Sequence, residues 1–167
     1  RFRGDERDAR QVAAQVAAEL RALVAAGTLQ PTAASDGGSN QEAFAMLRGT
    51  YGIAVGRLTV GGFLPGLDGT PRAAEHYAAN IILYAAQLAS VIITLIIDNL
   101  SVCNCVRNLL SARAIATTSA FGMWMCTKIL ITGLKHSCYW VPSHNRHLQW
   151  RAADGTEATS TAWRLLN

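Results

Sequence analysis

Residues 91–98, Val-Ile-Ile-Thr-Leu-Ile-Ile-Asp, constrain the fold of this chain more than any other stretch. Branched side chains suit a pleated surface, and a run of this kind with no polar alternation reads as a strand buried on both faces. Strands of that type belong to α/β architectures, in which helices cover both sides of a sheet. Asp98 emerges at the carboxyl end of the run. Open α/β sheets gather ligand chemistry at that end, because the loops there stand clear of the packed layers. The question is which other carboxylates can meet it.

A chain of 167 residues suits one domain and buries a core large enough to need no disulfide or metal staple. The formal charge of +4 and pI of about 9.1 permit a polyanionic partner without demanding one. After residue 30 the carboxylates are few: Asp36, Glu42, Asp68, Glu75, Asp98, Asp154 and Glu157. Their scarcity makes each one informative. The chain begins at Arg1 and stops at Asn167 inside a segment that reads as helical, so a fragment of a longer protein is expected. Cys103, Cys105, Cys126 and Cys138 show no paired CxxC spacing and follow no signal peptide. Free thiols in a reducing compartment, cytoplasmic or nuclear, are the expected state.

Residues 78–97 hold no charge over twenty positions, about the length that spans a bilayer. The pattern changes halfway, from Ala-rich to β-branched, and Asn80, Gln87 and Ser90 interrupt it. A buried helix, a turn at Ala89-Ser90 and a buried strand account for this better than a membrane span.

From the start of the chain, Val12, Val16, Leu20 and Val24 recur every four residues within 5–26, which predicts an amphipathic helix ended by Gly27. Residues 1–30 then serve as a linker to an upstream domain or as a cover on the sheet. Residues 28–35 predict a short strand, with Asp36 at its departure into a glycine-rich turn, Asp36-Gly37-Gly38-Ser39-Asn40. Residues 41–48 form a polar, amphipathic insert. Strands follow at 50–56 and 58–64, joined tightly at Gly56-Arg57 as an antiparallel hairpin. Thr70 is a good N-cap and Pro71 suits the first helical position, so Glu75 falls in the first turns of an Ala-rich helix. A helix begins at Asn99 and runs to Leu110. Residues 117–134 read as a further helix closing at Gly133, with Met123, Trp124, Met125 and Cys126 as core residues. Residues 138–142 give a fifth strand, a polar loop carries Ser143, His144 and His147, and 156–166 predict a last helix. A zinc site of Cys138, His144 and His147 lacks a fourth ligand at ordinary spacing.

The order is three strands, helix, strand, helices, strand, helix. In that order the chain resembles a type 1 ribonuclease H domain, of the kind often attached to the reverse transcriptases of retroelements. The matching pieces are Ser35-Asp36-Gly37-Gly38-Ser39, Tyr51-Gly52-Ile53-Ala54-Val55, Ala74-Glu75, Ile96-Ile97-Asp98-Asn99 and Trp140-Val141-Pro142-Ser143-His144. The resemblance covers residues 32–167. It implies an α/β fold with a five-stranded mixed sheet, three antiparallel strands then two more, flanked by helices, in a domain spanning 31–167.

The resemblance further implies that Asp36, Glu75 and Asp98 converge to hold two Mg²⁺ ions, with Mn²⁺ as the alternative. Such hard cations want carboxylate oxygen. In two-metal sites the ions lie about 3.5–4 Å apart and serve in-line displacement at phosphorus. His144 matches the family's mobile-loop histidine, which shuttles a proton or eases product release. Gly37, Gly38 and Ser39 would offer backbone donors near the cut strand, and Arg72 would approach the groove. The implied partner is an RNA·DNA hybrid, read by shape and the 2′-hydroxyl. The implied context is a monomer away from membranes, covalently linked to a reverse transcriptase domain. Two departures stand out: the loop before the glutamate is Thr70-Pro71-Arg72 where the family often has Asn or Gln, and the chain stops at Trp163-Arg164-Leu165-Leu166-Asn167, before the family's usual fourth carboxylate. A truncated C-terminus and impaired catalysis are expected on that account. A catalytically degenerate, nucleic-acid-binding or structural domain of the same fold is the alternative, and a membrane-associated helical protein is the third.

Overall fold

The structure, a computed structural model, describes residues 9–41, 47–64, 70–110, 127–128, 130–131, 133–141, 149–151 and 157–159. Its elements in chain order are α1 (Ala9–Ala25), β1 (Thr32–Gln41), β2 (Leu47–Val55), β3 (Leu58–Phe63), α2 (Pro71–Ala89), β4 (Thr94–Ile97), α3 (Leu100–Leu110), β5 (Ser137–Trp140), β6 (Gln149–Arg151) and β7 (Glu157–Thr159). Five strands form one mixed sheet in the order β3-β2-β1-β4-β5. The first three pair antiparallel, while β4 pairs parallel with β1 and with β5. This is the expected arrangement of three antiparallel strands then two more.

The β-branched run behaves as its composition requires at its centre: Thr94, Leu95, Ile96 and Ile97 are all buried. The strand is shorter than the run, since Val91 to Ile93 lead into it and Ile92 is exposed. Before it, α2 starts at a capped turn in which Thr70 Oγ1 accepts from Ala73 N–H at 3.2 Å, with Pro71 opening the helix. It stops at Ser90, which takes the left-handed conformation (φ 54°) and returns its N–H to the last turn. The uncharged twenty residues are thus a helix, a turn and a strand. Among the described residues no helix is long and apolar enough to cross a membrane.

The first helix packs on the core. Val12, Ala13, Val16, Ala17 and Leu20 are buried and join the same apolar core as α2 and the sheet, although Val24 is exposed. Burial of a side chain such as Leu20 is worth about 2 kcal/mol, so this stripe fixes α1 firmly. Glu19 reaches from α1 to the β2–β3 hairpin and accepts the Arg57 N–H at 2.8 Å. Gly56 in that hairpin takes φ 54°, which a two-residue turn demands.

Two expectations are corrected. The stretch Asp36 to Asn40 is not a turn: β1 continues through it to Gln41, paired residue by residue with β2, which starts at Leu47 inside the expected polar insert. Turn composition yields here because a long ladder with β2 pairs this stretch of backbone. Glu157–Thr159 does not begin a helix but pairs antiparallel with Gln149–Arg151, Arg151 opposite Glu157. Residues 160–166, and with them the rest of the expected last helix, lie outside the described residues, as do Met123 to Cys126. The end of the 117–134 helix is described: Ile131 N–H donates to the Thr127 carbonyl at 3.1 Å, and Gly133 has φ 86°.

Candidate metal centre

The topology makes one place where strand pairing opens. The β1–β4 ladder runs from Thr32↔Thr94 to Ser35↔Ile97 and ends there, while β1 goes on beside β2 alone. Asp36 is the first residue of β1 beyond that ladder, and Asp98 is the first residue after β4. Side chains at the same level of neighbouring parallel strands share a face, so the two carboxylates leave the sheet together.

Glu75 joins them from α2. Its approach depends on Gly37: a Cβ at that position would overlap the main chain of Ala74 and Glu75, so the helix lies directly on the strand. Ser35 Oγ donates to Glu75 Oε1 at 3.2 Å, and Gly37 N–H donates to Asp36 Oδ1 at 2.9 Å. The result is that one carboxylate oxygen from each of Asp36, Glu75 and Asp98 lies within 4.8 Å of the others. Asp36 and Glu75 are buried, at 5% and 1% exposure, and Asp98 is half-buried.

Asp98 is held from both sides. Asn99 caps α3, its Oδ1 accepting the Val102 N–H at 3.1 Å. From β5, the Trp140 indole N–H donates to the Asp98 carbonyl at 2.9 Å, leaving the ring 41% exposed beside the site. Neither Ser35 nor Trp140 is assigned a task by the sequence reading.

Electrostatically the cluster is in conflict. Burial, the hydrogen bond and charge of Asp98, and the charge of Asp36 raise the Glu75 pKa well above the ordinary carboxylate range, with only the Ser35 hydrogen bond opposing. Like charges this close in a dry setting favour one neutral partner or a bound cation. Three hard oxygen donors suit Mg²⁺ or Mn²⁺, and their repulsion is the observation that fits such an ion.

The other candidates stand as follows. Gly38 and Ser39 continue β1 beyond Gly37. Arg72 is half-buried in the first turn of α2, with a buried Nε that meets no hydrogen-bond partner among the described residues, and its charge bears on His76 and Cys105. His144, His147 and Asp154 lie outside the described residues. Cys138 is buried against Cys103.

The sheet order and flanking helices define a ribonuclease H-like fold. Among solved structures, the chain is similar to the solution structure of the PFV RNase H domain, with a TM-score of 0.57 and 14% identity, over 72% of this chain and 83% of that one. It is similar to the foamy viral protease-reverse transcriptase in complex with RNA/DNA hybrid, with a TM-score of 0.54 and 11% identity, over 69% of this chain and 18% of that one. A third similar structure is LC11-RNase H1, isolated from compost by a metagenomic approach, with a TM-score of 0.51 and 11% identity, over 68% and 85% of the two chains. Identities this low speak for the fold alone. No protein-family model matches the chain, and no curated protein sequence matches it.

Proposed function

We propose that this protein is a divalent-cation-dependent endonuclease of the type 1 ribonuclease H kind, cleaving the RNA strand of RNA·DNA hybrids. One observation carries the reading: on a ribonuclease H-like sheet, three carboxylates from β1, α2 and the end of β4 meet within 4.8 Å. Asp36, Glu75 and Asp98 would hold two Mg²⁺, or Mn²⁺, ions. Bound there, such ions supply an activated water and charge stabilisation for the leaving 3′ oxygen. The chain's own share is to hold Glu75 through Ser35, to fix Asp98 through Asn99 and Trp140, and to keep the oxygens poorly solvated, where charge acts strongly.

In this reading His144 shuttles the proton or speeds product release. Backbone donors of Gly37, Gly38 and Ser39 steady the cut strand, and Arg72 meets the groove. The hybrid is the partner that a neighbour of this fold holds in its own structure, a foamy viral protease-reverse transcriptase. That likeness also supports a retroelement context with a covalently linked reverse transcriptase domain. The domain would work as an intracellular monomer, with three thiols free among the described cysteines.

The test is cleavage of a labelled RNA·DNA hybrid in Mg²⁺ by the full chain and by Asp36→Asn. Loss of a ligand to the cation is expected to cost about a thousandfold in rate. Equal cutting by the two proteins rejects the site, and no cutting by either points to the degenerate, binding-only domain.

A further inference from the structure

Two thiols outside the carboxylate cluster form a second reactive arrangement. Cys103 lies on α3, one turn beyond the Asn99 cap, and Cys138 lies on β5. Their Sγ atoms are 3.7 Å apart, and both side chains are buried, at 0% and 6% exposure. Isolated buried cysteines act as small apolar residues. A facing pair is different, because closure to the S–S distance of about 2.05 Å needs less than 2 Å of movement between one helix and one strand.

The two thiols are also electrostatically coupled. The bond from Cys138 lowers the Cys103 pKa against the opposing effect of burial, with Arg107, one turn further along α3, assisting. Cys138 in turn is raised well above the usual thiol range by the bond to Cys103 and by burial. Cys105 does not share this setting: burial pushes it up to about 11. Two thiols in hydrogen-bond contact place one sulfur to attack and the other to resolve, the division that disulfide formation uses.

We propose that Cys103 and Cys138 form a peroxide-oxidisable dithiol whose closure to a disulfide pins α3 to β5. Cys103 Sγ attacks a peroxide oxygen and the O–O bond breaks, giving Cys103 sulfenic acid and one water. Cys138 Sγ then displaces the hydroxyl group from Cys103 Sγ, forming the S–S bond and a second water. The two thiols lose two electrons and hydrogen peroxide gains them. A small oxidant suits thiols so poorly exposed, reached when α3 opens locally. The crosslink would add to the Trp140 hydrogen bond, which ties the same two segments at Asp98. Its test reads the thiols directly and does not depend on cleavage.

The experiment uses the full chain with Cys105→Ser and Cys126→Ser, treated with hydrogen peroxide, quenched and alkylated, then mapped by mass spectrometry after trypsin digestion. The expected result is a linked pair of the peptides bearing Cys103 and Cys138, reversed by dithiothreitol. Closing a loop of this length is expected to raise the melting temperature of the oxidised monomer by about 5 °C or more. Alkylation of both thiols after exposure to peroxide overturns the proposal. So does sulfinic acid at Cys103 with Cys138 still alkylated, or linkage only between two molecules. Adding Cys138→Ser should leave Cys103 without an internal partner. Should that variant fail to fold, the map of the parent still decides.

Discussion

The two ends of β4 carry buried polar groups under the same low-dielectric conditions, and they resolve them in opposite ways. At the amino end, His136 Nδ1 accepts the Ile93 N–H at 3.1 Å, and Gln30 Nε2 donates to the Ile93 carbonyl and to Ser137 Oγ, both at 3.2 Å. Every group there is neutral when His136 is neutral, and burial lowers its pKa to about 4. At the carboxyl end, three acids share one small space, and burial raises Glu75 instead. Burial favours the uncharged form in both places. At the carboxyl end the charges of Asp36 and Asp98 act against that of Glu75. An end built of neutral groups is structural; an end that repels itself is built for something to enter.

The largest expected effect separates the ends by function. Glu75→Gln should cut hybrid cleavage about a thousandfold while making the cation-free chain more resistant to urea at pH 7.5, because a repelling carboxylate has gone. A variant that lost cleavage and stability together would show that Glu75 holds the fold up, and the contrast would collapse.

Acid provides the next test. A histidine with a folded-state pKa near 4 binds fewer protons than the unfolded chain between pH 4 and about 6.5, so its contribution to stability is full above that window and is lost as pH falls through it. His76, lowered to about 4 by burial and by Arg72, behaves alike. Each histidine should cost about 2 kcal/mol between pH 7 and pH 5 in urea titrations. Glu75 opposes them: its raised pKa makes the fold more stable as pH falls through it, so Glu75→Gln should steepen the acid loss. A pH-independent midpoint in that variant would refute the account of the histidine end.

The smallest effect concerns Trp140. Trp140→Phe keeps the ring and removes the N–H that meets the Asp98 carbonyl. A loss of about 1 kcal/mol is expected, read as a fall of roughly 3 °C in melting temperature. A rise in the Mg²⁺ concentration needed for half-maximal cleavage should accompany it, since the turn bearing Asp98 is less constrained. An unchanged requirement for the ion would confine Trp140 to stability.

Features set by a few neighbouring residues were legible in the sequence. The β-branched run, the Thr70-Pro71 helix start, the turn at Ser90 and the Gly56-Arg57 hairpin each follow from local preferences that the fold did not override. The β-strand through Asp36-Gly37-Gly38-Ser39 was not legible, because its stability comes from pairing with β2 and not from its own composition. The strand at Glu157–Thr159 was missed for the same reason. The meeting of the three acids was expected from the order of short motifs alone; no local rule predicts it. The bonds from Ser35 and Trp140, and the facing of Cys103 and Cys138, come from side chains far apart in the chain and left no mark in any single segment.

The absence of a side chain at Gly37 has a reach beyond its own strand. Because main chain rests on main chain there, the height of Glu75 above the sheet is gauged by the two backbones and not by the apolar side chains packed around them. Exchanging those neighbours for others of similar volume should leave the gap between the acids the same width. A gap of fixed width selects an ion by its radius, so the discrimination between a small and a large cation would be written in the skeleton of the protein.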